Sequence, residues 1–209
     1  MHAKSNRFTK PVGPHYNVLT EKIAIDCEMM QSNIGQILGR VSIINYGGET
    51  IFDTFVYYPE PIVITNTDEK YSGIAWNDID PQNGAQPFPE VQACLVELLR
   101  HRIVIGHDIQ KDLKVISMDL PSQILRLQGV ALRLTPISFD MAIRDTQKCS
   151  RYRQYANRGA NQGPSLKNLA LGVLGRPIKQ GRVSSVEDAI ATMEVYRNAE
   201  ADIEQEQGQ

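Results

Sequence analysis

The sequence predicts an α/β protein with a mixed central sheet of about five strands flanked by helices. Two observations predict it. Apolar runs of strand length alternate along the chain with helix-length amphipathic stretches. The first three strands also follow one another directly, with the turn signal Asn45-Tyr46-Gly47-Gly48 making a hairpin of the second and third. Residues 22–30, 37–46 and 49–57 read as those three strands. Val91, Cys94, Leu95, Leu98 and Leu99 then recur at helical spacing, and Ile103 to Ile105 make a short buried strand. Gly106 punctuates the chain before His107-Asp108-Ile109-Gln110-Lys111-Asp112, which reads as the entry to a helix. Ile137, Phe139, Met141 and Ile143 alternate as a strand does.

Two helices follow, around 164–174 and 184–200, the second with Val186, Ile190, Met193 and Arg197 along its length. Ser184 and Glu187 have capping-box spacing, which puts Asp188 in the first turn. The acids Glu200, Asp202, Glu204 and Glu206 read as an end that frays. The expected organisation is an N-terminal extension over 1–20, one domain over 21–199 and an acidic tail over 200–209. With 209 residues and 42% hydrophobic content, the chain can bury a core without staples. Cys27, Cys94 and Cys149 show no zinc or redox spacing, and their odd number points to a reducing compartment. No apolar run approaches the length of a membrane span, so a soluble intracellular protein with no membrane partner is expected.

Asp26 and Glu28 stand out against this background. They lie one residue apart on an apolar strand, in Lys22-Ile23-Ala24-Ile25-Asp26-Cys27-Glu28-Met29, and strand geometry puts both carboxylates on one face. Their repulsion calls for a divalent cation or for protons between them, unless they mark a solvated strand end. Asp112 and Asp188, each near a helix start, are favoured there by the helix dipole in any case.

With their flanks, the four acids resemble the DEDD superfamily of 3'-to-5' exonucleases, and within it the Rex-type RNA exonucleases and their interferon-stimulated relatives. The match covers residues 22 to 197 and takes its pieces in the family's order: Ile25-Asp26-Cys27-Glu28-Met29, Tyr71-Ser72-Gly73-Ile74, Gly106-His107-Asp108 leading to Asp112, Ile143-Arg144-Asp145-Thr146-Gln147, Pro164-Ser165-Leu166-Lys167-Asn168-Leu169 and Ser184-Ser185-Val186-Glu187-Asp188-Ala189. The resemblance implies an RNase H-like fold and two-metal phosphodiester hydrolysis, with Asp26, Glu28, Asp112 and Asp188 as ligands of a Mg2+ or Mn2+ pair. It also implies that Met29 packs on the terminal nucleotide, where a core methionine is the alternative. It points to single-stranded RNA, though the residues themselves leave RNA and DNA both open, and to a nuclear or nucleolar site in preference to the cytoplasm.

One position departs from the family. Active members carry a histidine five residues before the last aspartate, as the general base, and this chain has Val183 there. Loss of such a base costs a factor on the order of 10²–10⁴. No other histidine replaces it: His2 and His15 lie in the polar N-terminal segment, His101 ends a helix, and His107 belongs to the shared Gly106-His107-Asp108 element, among the substrate contacts. Lys179 and Arg182 read as solvated surface bases or as phosphate contacts.

Net charge is −2, yet Arg144 to Lys167 holds six basic residues, Arg144, Lys148, Arg151, Arg153, Arg158 and Lys167, against the single acid Asp145. Arg151, Tyr152 and Arg153, with Tyr155 nearby, therefore form a candidate strand-binding loop of phosphate-neutralising and base-stacking side chains. A solvated loop is the alternative. Lys70 is a second candidate phosphate contact. Two functions remain open: a metal-dependent 3'-to-5' exonuclease weakened by Val183, and a pseudo-exonuclease that binds nucleic acid or a protein partner without turnover.

Overall fold

Ile23, Ala24 and Ile25 have no exposed surface, because the strand they belong to is paired on both edges and covered on both faces. The computed structural model describes residues 18–119, 139–157 and 163–208. Its strands are β1 (Lys22–Ser32), β2 (Gly35–Asn45), β3 (Thr50–Tyr57), β4 (Ile64–Asn66), β5 (Gln86–Pro87), β6 (Arg102–Gly106) and β7 (Met141–Asp145). Its helices are α1 (Glu69–Ser72), α2 (Phe88–Leu99), α3 (Gln110–Ile116), α4 (Leu166–Leu174), α5 (Ser185–Asn198) and α6 (Glu200–Gln207).

The sheet runs in the order β5-β3-β2-β1-β6-β7, with β4 paired to the far end of β1. β1, β2 and β3 are antiparallel, whereas β6 and β7 run parallel to β1. Seven strands replace the expected five because β4 and β5 have only three and two residues, too few to show a period in sequence. β1 and β2 are themselves a hairpin, closed where Ser32 faces Gly35, and Gly35 takes a φ of 106° that favours glycine.

The two faces of the sheet build two cores. Ile23, Ile25 and Cys27 of β1 pack with α2 and α3 residues on one side, and Ala24 with Ile105 packs against α4, α5 and Tyr152 on the other. Small buried residues on α5, Ser185, Ala189 and Ala191, let it lie close to the sheet, and Ser42 Oγ and Ser185 Oγ share a hydrogen bond of 2.6 Å.

Three expectations change. The strand expected from Ile137 begins only at Met141; Phe139 precedes it, and Ile137 lies outside the described residues, as do His2, His15 and Arg158. The helix expected over 184–200 stops at Asn198, where Ala199 breaks the α geometry with φ −129° and ψ 29°. The acidic end does not fray: it forms α6, tied to the domain through Glu200 to Lys22, Asp202 to Arg151, Glu204 to Arg144 and Glu206 to the Ser150 N–H.

Candidate active site

The site forms where β1 outruns its parallel neighbour. β6 pairs with β1 only over Lys22–Ala24, so Asp26 and Glu28 project beyond the carboxyl end of β6, where ligand clefts of open α/β sheets form. The turn from β6 into α3 borders that opening. Asp112, in the first turn of α3, accepts the Cys27 N–H at 3.1 Å, which fixes its carboxylate against β1. Asp188 arrives from the other face on the first turn of α5.

Asp26, Glu28 and Asp188 can each present a carboxylate oxygen within 4.8 Å of the others. Glu28 and Asp188 are buried while Asp26 keeps part of its surface, and Asp112, also buried, stands beside this group. Loss of water, then Asp112, Asp188 and Glu28, hold the Asp26 pKa well above the usual carboxylate range. Burial pushes Glu28 to about 8 against the pull of Lys179 and Arg40. It pushes Asp112 to about 7 despite the Cys27 hydrogen bond, and it raises Asp188 against Lys179. Glu28 Oε1 and Asp188 Oδ1 are buried with no hydrogen-bond partner. Three converging carboxylates, two of them with a buried oxygen that has no partner, fit a hard divalent cation, for which carboxylate oxygens are the natural ligands.

Two cations near the acids went unrecognised in sequence. Arg40 lies opposite Glu28 in the β1–β2 register, although its fork is held by Asp53 at 2.8 and 2.9 Å. Sequence gives no access to this pairing: continued from the turn, the register would put Gly39 opposite Glu28, and a bulge between Glu28 and Met29 brings Arg40 there instead. Lys179 pairs its ammonium with Asp188, from a loop that carries no period. Lys179 and Arg182 are both exposed, as expected of surface bases, but both are partnered: Lys179 with Asp188, and Arg182 with the Gly73 carbonyl and Asp78, to which it donates.

The capping box also fails. Ser184 makes no side-chain cap; its Oγ accepts from Arg40 at 3.4 Å, and Glu187 accepts the Lys179 N–H at 2.8 Å. Val183 is half-buried, and its carbonyl lies where a β-carbon on Gly73 would sit. Only glycine, at φ 67°, permits that approach.

Of the expected substrate contacts, Met29 and His107 line the same cleft as Asp26 and Asp112. His107 Nδ1 lies 3.0 Å from Thr146 Oγ1, its Nε2 has no partner, and burial lowers its pKa against the opposing charge of Asp145. Lys70 is exposed on α1 with its ammonium 5.3 Å from the Tyr71 ring centre. The basic loop is corrected in part. Tyr152 is 1% exposed and donates its hydroxyl to the Val195 carbonyl at 2.6 Å, so its ring belongs to the core and offers no stacking face. Arg151 is paired with Asp202, Arg144 with Glu204 and Lys148 with Asp145. Arg153 is exposed.

Sheet order, cleft and carboxylates together define an RNase H-like domain of the exonuclease type. A protein named RNA exonuclease 4 from Gibberella zeae is 38% identical over 178 residues, 84% of this chain and 48% of that protein. One of the same name from Xenopus tropicalis is 34% identical over 181 residues, 85% of this chain and 37% of that one. The chain thus spans less than half the length of these relatives. The Pan2 catalytic unit of Neurospora crassa shares the fold with a TM-score of 0.63 at 22% identity, covering 97% of this chain and 30% of that chain. The Saccharomyces cerevisiae Pan2 module in complex with AAGGAA RNA does so at 0.60 and 23%, covering 90% of this chain and 29% of that one. No protein-family model matches the chain. The chain belongs to the DEDD-type 3'-to-5' exonuclease superfamily.

Proposed function

We propose that this domain is a divalent-metal-dependent 3'-to-5' exonuclease acting on single-stranded RNA, slowed by the absence of a general-base histidine. The observation that carries this reading is the convergence of Asp26, Glu28 and Asp188 within 4.8 Å, with two buried oxygens left without partners. The names of the relatives favour RNA. Asp26, Glu28 and Asp188 would hold the metal, with Asp112, the fourth ligand by resemblance, held beside them by the Cys27 N–H. Bound Mg2+ or Mn2+, as a pair by resemblance, supplies Lewis acidity for the leaving 3' oxygen and acidifies the attacking water.

Met29 offers an apolar surface to the terminal nucleotide at the edge of the cleft. His107, whose pKa burial lowers, lines the cleft beside Met29 and is the second candidate contact for the terminal nucleotide. Val183 supplies neither acceptor nor donor from its side chain, so the attacking water would pass its proton to bulk solvent without a side-chain base.

A second reading is favoured by Val183 itself: a domain that binds the strand or a protein partner without turning over. A time course of 3'-end shortening on a short single-stranded RNA and its DNA counterpart, with Mg2+ or Mn2+, separates the two. Shortening of RNA by the wild type, lost in Asp26→Ala, is the expected result. Silence from the wild type, with shortening restored by Val183→His, would mean an intact metal and substrate site disabled by one residue and would favour the binding role.

A further inference from the structure

The acid cluster contains a cation of the chain's own. Lys179 Nζ pairs with Asp188 Oδ2, and its charge acts on Asp26 and Glu28 as well. Burial opposes the charge on Lys179, but the three acids more than offset this and raise its pKa. The backbone brings the side chain there. Lys179 has a φ of 58°, a left-handed conformation uncommon for a residue with a β-carbon. It is held by the bond from its N–H to Glu187 Oε2 at 2.8 Å and by the fully buried Ile178 before it.

The side chain, by contrast, is 37% exposed. Its main chain is held and Lys179 belongs to neither core, so the partly exposed side chain can leave the cluster without unpacking a core. Nor does it saturate the cluster. Asp188 itself is 3% exposed, and its second oxygen remains buried and without a partner, as does Glu28 Oε1.

We propose that Lys179 is a tethered counter-ion that competes with a divalent ion for Asp188 and so sets the metal concentration at which the site fills. This rests on reading Asp26, Glu28 and Asp188 as the metal site. Without metal, the ammonium offsets part of the carboxylate charge. When an ion binds, Asp188 exchanges the lysine for it and the lysine turns out to solvent. Ion and ammonium draw on the same carboxylate, so the affinity measured for the ion includes the work of displacing the lysine.

The test is calorimetric titration of the full chain with Mn2+, for wild type, Lys179→Met, Lys179→Gln and Asp188→Asn, alongside metal-free melting. Lys179→Met keeps the stem and Lys179→Gln keeps polarity, so a packing defect in one is checked by the other. Both are expected to bind Mn2+ about tenfold more tightly than wild type or better, a gain of about 1.4 kcal/mol, and to melt lower without metal. Mn2+ affinity unchanged or weakened in both lysine variants, with binding abolished by Asp188→Asn, overturns the counter-ion and leaves the metal site standing. No Mn2+ binding by wild type or by either lysine variant overturns the metal site and the counter-ion together.

Discussion

The protein has two clusters of acids that look alike in composition and differ in every physical respect. On α6, Glu200 takes Lys22 and the Tyr46 hydroxyl, Asp202 takes Arg151, and Glu204 takes the Arg144 fork and the Tyr196 hydroxyl. Hydrogen bonds from Lys22 and Arg144 accordingly lower the pKa values of Glu200 and Glu204. In the active-site group, Asp26, Glu28 and Asp188 share Lys179, Asp112 beside them has the Cys27 N–H, and all four are raised. Donors keep pace with carboxylates in the first cluster and fall short in the second. The shortfall, not the number of acids, marks the functional site, because an uncompensated buried charge is tolerated where a ligand completes it.

The sharpest probe of this contrast is catalytic. Val183→His puts an imidazole where the family has its base and is expected to raise 3'-end shortening by a factor on the order of 10²–10⁴, read as initial rate on single-stranded RNA. An unchanged rate would mean that the cleft does not hold the water where this account requires it. Next comes stability. Glu204→Ala leaves the Arg144 guanidinium, its side chain 8% exposed, without its carboxylate partner, at a cost of about 1–3 kcal/mol. That corresponds to a melting temperature lower by several degrees, at roughly 2–4 °C per kcal/mol for a domain of this size.

The two clusters also predict opposite pH responses. Glu28 and Asp112, raised to about 8 and about 7, favour the fold while protonated, so metal-free stability declines as pH rises from about 5 toward 8. Saturating Mn2+ removes that decline. Glu200 and Glu204, held below their ordinary values, favour the fold while ionised, so the hold on α6 weakens as pH falls below about 4.5. Melting curves at pH 4, 6 and 8, with and without Mn2+, check both signs. The smallest effect is expected at Arg151→Ala, whose pair with Asp202 is about half exposed on both sides. Such pairs contribute about 0–1 kcal/mol, and a larger loss of melting temperature would show that α6 depends on it.

How much was legible in the sequence follows the same division. The β1 acids were legible because a strand's two-residue period places Asp26 and Glu28 on one face without any tertiary information. Asp112 and Asp188 were recognisable only through their flanks. Lys179 was not legible, since its position depends on a left-handed residue in a loop and on a carboxylate that arrives from another element. The misreading of α6 has a similar cause. Glu200, Asp202, Glu204 and Glu206 look solvated along the chain, and their partners Lys22, Arg144, Arg151 and Ser150 come from distant segments. Tyr152 failed for want of burial information, since a tyrosine among arginines reads the same whether its ring faces a base or the core.

The most direct test of the central claim, that the cleft acids are a divalent-metal site while those of α6 are structural, is the shift in melting temperature on adding Mn2+ to wild type, Asp26→Asn and Glu204→Gln. Mn2+ is expected to raise the melting temperature of wild type and of Glu204→Gln and to leave Asp26→Asn unmoved, while without metal Asp26→Asn melts above wild type and Glu204→Gln below it. A wild type indifferent to Mn2+, or an Asp26→Asn that responds as wild type does, would contradict it.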